Sequence, residues 1–148
     1  MRVLMVCLGN ICRSPLAEGL LRQKVEAAGL DWEVDSAGTS AYHQGSPPDS
    51  RSIAVAQQYN LDISGQRSRP LVKTDLDDFD IIYVMDSENY NNVLDLCTKE
   101  QQVAKVRLIM NEVQPGYNVA VPDPYWSDDG FEQVYQMLDE ATGHIIEG

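Results

Sequence analysis

Basic side chains are scarce in this chain: 11 Lys and Arg stand against 23 Asp and Glu, for a formal net charge of −12. A field of that sign repels polyanions, which argues against nucleic acid or an anionic membrane as partner. Any anion the protein holds must rest in a local pocket of aimed backbone amides and a nearby arginine. Long hydrophobic runs are missing too. The apolar stretch in MRVLMVCLGN is too short for a signal-peptide core and far too short to span a bilayer, and no later segment does better. Cysteine is sparse: three, an odd number at irregular spacing, do not form a secreted disulfide framework, so a reducing cytoplasm is the expected location. Repeats, low-complexity tracts and long linkers are absent. What remains is 148 residues, 43% hydrophobic, enough to bury a core without metals or staples; the expectation is one domain over residues 1–148.

Val3 to Val6 is a continuous apolar, partly β-branched run, the pattern of a strand buried on both faces, and it ends at Cys7. The next helix is predicted to open with Ser14 as N-cap and Pro15 at the first helical position. It carries Ala17, Leu20, Leu21 and Val25 at helical spacing and closes at Gly29. Further strands are predicted at Trp32 to Thr39, Asp80 to Met85 and Val106 to Met110, with a loop around Gly45 to Pro48. Helices are predicted from Asp49 to Tyr59, over the segment placing Val93, Leu94 and Cys97 on one face, and where Phe131, Val134, Tyr135, Leu138 and Ile145 form an apolar stripe. The alternation implies an α/β fold. A single domain would hold a four-stranded parallel sheet with helices on both faces, doubly wound and flavodoxin-like, its functional loops at the carboxyl ends of the strands.

Cys7 stands at such an end. From Cys7 to Arg13 the loop CLGNICR joins a buried strand to a helix N-terminus, where unpaired N–H groups and the helix dipole favour an anion. Gly9 and Asn10 are residue types that tolerate left-handed backbone angles, which a loop needs if successive amides are to point inward. Arg13 offers a planar fork for two phosphate oxygens, a grip lysine cannot reproduce. A cysteine facing this positive cluster is expected to be the nucleophile, with the Ser14 hydroxyl stabilising its thiolate. Taken alone Cys7 would be a buried core cysteine. The company of Gly9, Asn10, Arg13, Ser14 and Pro15 favours chemistry instead. Zinc is not expected, because Cys97, His43 and His144 stand at no ligand spacing.

At this point CLGNICRSP resembles the signature of the low-molecular-weight protein tyrosine phosphatases. DSAGT from Asp35, YVMD from Tyr83 and DPY from Asp123 resemble further family segments, in family order along the whole chain. The resemblance implies a cysteine-based, cofactor-independent phosphatase acting on phosphotyrosine and small aryl phosphates. Leu8, Gly9, Asn10, Ile11, Cys12 and Ser14 would form the substrate-binding loop, with Cys7 and Arg13 catalytic and no metal site. Its partners would be a phosphotyrosine-bearing protein, a tyrosine kinase being one candidate, with inorganic phosphate as product. The resemblance also implies that Asn10 and Ser36 hydrogen-bond to hold the loop in shape.

The departing aryloxide needs a proton, and a positioned carboxylic acid contributes roughly 10²–10⁴-fold to such a step. Asp123 lies between Pro122 and Pro124, which stiffen its loop. An Asp-Pro pair alone is a common turn. With the cysteine loop it reads as the general acid, a role the resemblance also implies, followed by activation of the water that hydrolyses phospho-Cys7. Tyr125, Trp126 and Tyr42 are expected to wall the pocket against an aryl group.

Three alternatives stay open. A thioredoxin-coupled arsenate reductase would need resolving cysteines, and only Cys97 lies beyond the loop. A protein-arginine phosphatase of the same fold resembles this loop but carries threonine where this chain has Ile11. A non-catalytic oxyanion-binding module would not need Asp123. Cys12 is near enough in sequence for a reversible disulfide to shield Cys7 from overoxidation, packing beneath the loop being the equal alternative. His43 and His144 read as surface or packing residues, and the acidic run Asp75, Asp77, Asp78 and Asp80 as a solvated helix start. Many relatives have a histidine near the segment Gln66 to Arg69, so a buried pair of Asp35 with histidine is not assumed.

Overall fold

The computed structural model describes residues 1–148. Four parallel strands, β1 (Arg2–Cys7), β2 (Glu33–Gly38), β3 (Ile81–Val84) and β4 (Val106–Leu108), form one sheet in the order β2-β1-β3-β4. Six helices connect and follow them: α1 (Arg13–Ala27), α2 (Ser50–Gln58), α3 (Asp75–Asp78), α4 (Ser87–Leu96), α5 (Glu100–Val103) and α6 (Phe131–Glu147). Along β1 the side chains alternate between two cores. Val3, Met5 and Cys7 join the cluster under α1 and α6, while Leu4 and Val6 join the cluster containing Leu76, Phe79 and Val93. That division explains the unbroken apolar run, since both faces of a central parallel strand are covered.

The apolar stripe of α6 packs as predicted, with Phe131, Val134, Tyr135, Leu138 and Ile145 all buried, each worth roughly 1.5–3 kcal/mol of transfer free energy when fully removed from water. Several boundaries differ from expectation. Helix α1 begins two residues early, with Cys12 as its N-cap residue and no side-chain cap, so Ser14 lies inside the first turn and its hydroxyl is free for other partners. β4 stops at Leu108, because Ile109–Glu112 turns into a 3₁₀ segment that buries Ile109 and Met110. Cys97 falls just past α4, half-buried, its thiol donating to the Val93 carbonyl (3.5 Å). No helix is long and apolar enough to cross a membrane.

The chain runs from β1 outward to β2 and then crosses back to β3. The order therefore reverses beside β1, and the crevice beyond the carboxyl ends of β1 and β3 is where such sheets hold ligands.

Candidate active site

Cys7 ends β1 in this crevice, 2% exposed, paired in register with Gly38 of β2. The loop after it runs close against the strand end: Thr39 N–H donates to the Cys7 carbonyl and Ser40 N–H to that of Leu8, both at 2.9 Å. A Cβ on Gly38 would lie 2.8 Å from the Leu8 carbonyl oxygen, which explains the glycine in DSAGT. Asn10 adopts φ 57, the left-handed angle expected of it. Gly9 does not. It packs close to His43 instead: a Cβ there would sit 3.1 Å from the imidazole, which would have to give by a few tenths of an ångström.

The N–H groups from Leu8 through Ser14 donate to no acceptor within the protein, although most of these residues are buried. Buried amides without partners are costly unless they serve a ligand, and this consecutive run, in a loop that starts at Cys7 and returns the Ser14 hydroxyl to 3.1 Å from its sulfur, is suited to cradle an anion. Arg13 completes it. Its guanidinium is buried, with Nη1 donating to Asp86 (2.7 Å) and to the Val121 carbonyl (3.0 Å). Nε and Nη2 hydrogen-bond to no protein atom, so the edge that can fork onto two oxygens is free. Burial opposes the charge, but Cys7, Asp86 and Asp123 outweigh it and raise the Arg13 pKa, leaving a permanent cation.

Beneath the loop the hydrogen bonds run in one direction. Arg69 N–H donates to Asn10 Oδ1 (3.0 Å), which fixes the amide so that Nδ2 donates to both Ser14 Oγ (2.7 Å) and Ser36 Oγ (3.0 Å). Ser36 in turn donates to Glu18 (2.6 Å). Ser14, having accepted from Asn10, keeps its own proton for Cys7 Sγ, 3.1 Å away. The side chains of Asn10 and Ser14 are therefore buried supports of the loop, while their N–H groups belong to the unpartnered run above them. Burial raises the Glu18 pKa, with Ser36 and Arg22 working against it.

A cavity of about 400 Å³ opens above the sulfur, lined by Cys7, Leu8, Gly9, Ile11, Cys12, Arg13, Ser40, Tyr42, His43, Asp123, Tyr125 and Trp126. Tyr42 and Trp126 are 86% and 84% exposed, so they stand as open walls and do not pack a core. His43 sits between the walls, edge-on to Tyr42 at 4.9 Å and 6.1 Å from the Tyr125 ring, where the sequence reading placed only surface or packing. Asp123 Oδ2 lies 3.8 Å from Arg13 Nη2, and Oδ1 accepts from Tyr125 N–H (3.1 Å). Cys12 borders the cavity as well, and its thiol, pushed up to about 12 by burial and then by Asp49, stays protonated near neutrality. A larger, polar depression of about 530 Å³ lies elsewhere, bordered by Glu18, Arg22 and Gln66, and holds no nucleophile.

The sequence reading missed two partners of the loop. Asp86, the last residue of YVMD, anchors Arg13 while its other oxygen caps α4 through Asn89 N–H (2.8 Å). Arg69 bridges Asp35 and Asp75 (3.1 and 3.0 Å) where a histidine pair was not assumed. Asp75 is accordingly buried and does not belong to a solvated run, because it accepts from Arg69 and from Val72 N–H. No group of three or more His, Cys, Asp or Glu side chains is assembled to hold a metal ion.

Comparison with known proteins gives one answer. A family profile described as "Low molecular weight phosphotyrosine protein phosphatase" matches residues 2–147. The low molecular weight phosphotyrosine protein phosphatase of Schizosaccharomyces pombe is 40% identical over 98% of this chain and 94% of its own. Among solved structures, a protein tyrosine phosphatase from Entamoeba histolytica superposes with a TM-score of 0.92 at 37% identity, covering 99% of this chain and 95% of that one. A Drosophila arginine phosphatase does so at 0.91 and 30%, covering 99% and 96%. With its phosphate cradle, buried arginine and whole-length similarity, the chain belongs to the low molecular weight phosphotyrosine protein phosphatase family.

Proposed function

We propose that residues 1–148 act as one catalytic domain hydrolysing phosphotyrosine and small aryl phosphates by double displacement at Cys7. The observation that carries this is the run of unpartnered N–H groups from Leu8 to Ser14, in the loop that joins Cys7 to an Arg13 whose Nε–Nη2 edge has no hydrogen-bond partner. The Cys7 thiolate attacks phosphorus and the P–O bond to the aryl group breaks. Asp123 gives its proton to the departing oxygen; as carboxylate it then takes a proton from the water that cleaves phospho-Cys7, releasing inorganic phosphate and regenerating the thiolate. The amides and Arg13 stabilise the charge on the equatorial oxygens throughout. The substrates are phosphotyrosine proteins, a tyrosine kinase among the candidates, and the compartment is the cytoplasm.

Ile11 favours the aryl ester over phosphoarginine. Its apolar side chain lines the cavity with Leu8, Tyr42, Tyr125 and Trp126, and offers no polar partner to the N–H groups of a phosphoguanidine, which an aryl ester does not need. Turnover of a phosphotyrosine peptide is expected to exceed that of the matched phosphoarginine peptide by at least ~10-fold, with inhibition by vanadate and indifference to chelator. Equal or reversed preference would overturn the tyrosine reading. The arsenate reductase reading needs a resolving thiol from beyond the loop, and Cys97, bonded to the Val93 carbonyl at the end of α4, is not among the residues that line the cavity.

Asp123→Asn is expected to lower kcat/KM for phenyl phosphate by roughly 10²-fold, because phenoxide leaves poorly without a proton. Full activity in that variant, measured at the pH optimum, would remove Asp123 from the mechanism.

A further inference from the structure

The acid loop is held from one side by the site itself: Val121 N–H donates to the Met85 carbonyl (2.8 Å), and Arg13 to that of Val121. Beyond Asp123 the support changes. From Tyr125 to Asp128, the two hydrogen bonds to another element both come from Arg51, whose Nη2 donates to the Tyr125 carbonyl (3.0 Å) and Nη1 to Asp128 (2.7 Å). The same guanidinium lies 4.6 Å over the Phe131 ring and 5.7 Å from that of Tyr125, within the range of cation–π attraction. Its orientation is set by a bidentate grip on Asp49, Nε to Oδ1 and Nη2 to Oδ2, both at 3.0 Å.

Asp49 belongs to the nucleophile's side of the site. It caps α2 through Arg51 N–H (2.9 Å), and its own N–H donates to the Ile11 carbonyl (2.8 Å), while Ser52 Oγ donates to that of Cys12 (3.3 Å). The start of α2 thus touches the phosphate loop through the Asp49 N–H and the Ser52 hydroxyl, and the acid loop through the Arg51 side chain. We propose that Arg51 is a positioning residue for this reaction: it clamps the acid loop to the phosphate loop, fixing Asp123 at the height over Cys7 from which it protonates the leaving group. The proposal rests on Asp123 being the acid. Arg51 touches neither the cavity nor the reacting atoms, so its effect passes through Asp123, where a misplacement of about 1 Å can cost on the order of 10²-fold.

The discriminating readout is leaving-group dependence. kcat/KM is measured for phenyl phosphate, which needs the proton, and for 2,4-dinitrophenyl phosphate, which leaves unaided, in the parent, Arg51→Ala, Arg51→Lys, Asp128→Asn and Asp123→Asn. Arg51→Ala is expected to lose ~10-fold or more on phenyl phosphate and less than ~2-fold on the activated ester. Arg51→Lys should fall between, since one ammonium cannot hold Asp49 and the Tyr125 carbonyl together. Asp128→Asn, at a well-exposed position, should shift in the same direction by ~2-fold. If Arg51→Ala does not fold, the lysine and Asp128 variants decide alone. Equal losses on both esters, or none on either, would overturn the clamp while Asp123→Asn still shows its selective loss. Should Asp123→Asn itself be indifferent to the leaving group, the acid assignment falls and the clamp with it.

Discussion

Cys7→Ser is expected to abolish turnover of aryl phosphates, a loss of ~10⁴-fold or more, while oxyanion binding persists. Serine is a weak nucleophile unless a base removes its proton. The one hydrogen bond to the Cys7 side chain comes from Ser14, a hydroxyl already committed as donor by Asn10. His43 lines the same cavity but forms no hydrogen bond with position 7, so nothing there substitutes for thiol ionisation. The cradle is built from backbone N–H groups and Arg13, none of which the substitution touches. Single-turnover phosphate release, with calorimetric titration of phosphate or vanadate, separates the two effects. Retention of more than a few per cent of activity would mean that the sulfur is not the attacking atom.

The fold was legible because its signals are local or periodic. The unbroken run Val3 to Val6, the DIIYVM strand and the stripe on α6 each follow from burial geometry, and the sheet's parallel order follows from their alternation with helices. Boundaries were less legible. Ser14 carries every mark of an N-cap, yet the loop draws the helix start to Arg13, because Asn10 and Cys7 compete for its hydroxyl. A propensity read from neighbours in sequence cannot register a partner seven residues back.

Within the site, the cysteine loop and Asp123 were legible as motifs, whereas the groups that hold them were not. Asp86 reaches Arg13 across 73 residues, Arg51 reaches Asp128 across 77, and Arg69 meets Asp35 across 34. Ion pairs of that span leave no periodic trace. Charge count alone read Asp75 as solvated, although burial with Arg69 is what makes its carboxylate useful. His43 belongs to no motif, and its place in the cavity lining, between Tyr42 and Tyr125, shows only in the fold.

Arg13→Lys keeps the charge and removes the geometry, and is expected to lower kcat/KM on the order of 10³-fold, the scale at which arginine acts on transferring phosphoryl groups. The guanidinium does two jobs with separate edges. Nη1 is fastened to Asp86 and the Val121 carbonyl, and the Nε–Nη2 edge is left for two phosphate oxygens. An ammonium at position 13 is drawn to Asp86, a carboxylate the arginine meets at 2.7 Å, and cannot present two parallel N–H groups while paired there. Truncation to alanine would be a poorer test, since it strands Asp86 beside a buried void and lowers stability through that route. The lysine variant should melt within a few degrees of the parent and bind vanadate more weakly. A variant that melts normally and retains more than a tenth of the activity would show that charge alone suffices, and that the fork has no part in stabilising the transition state.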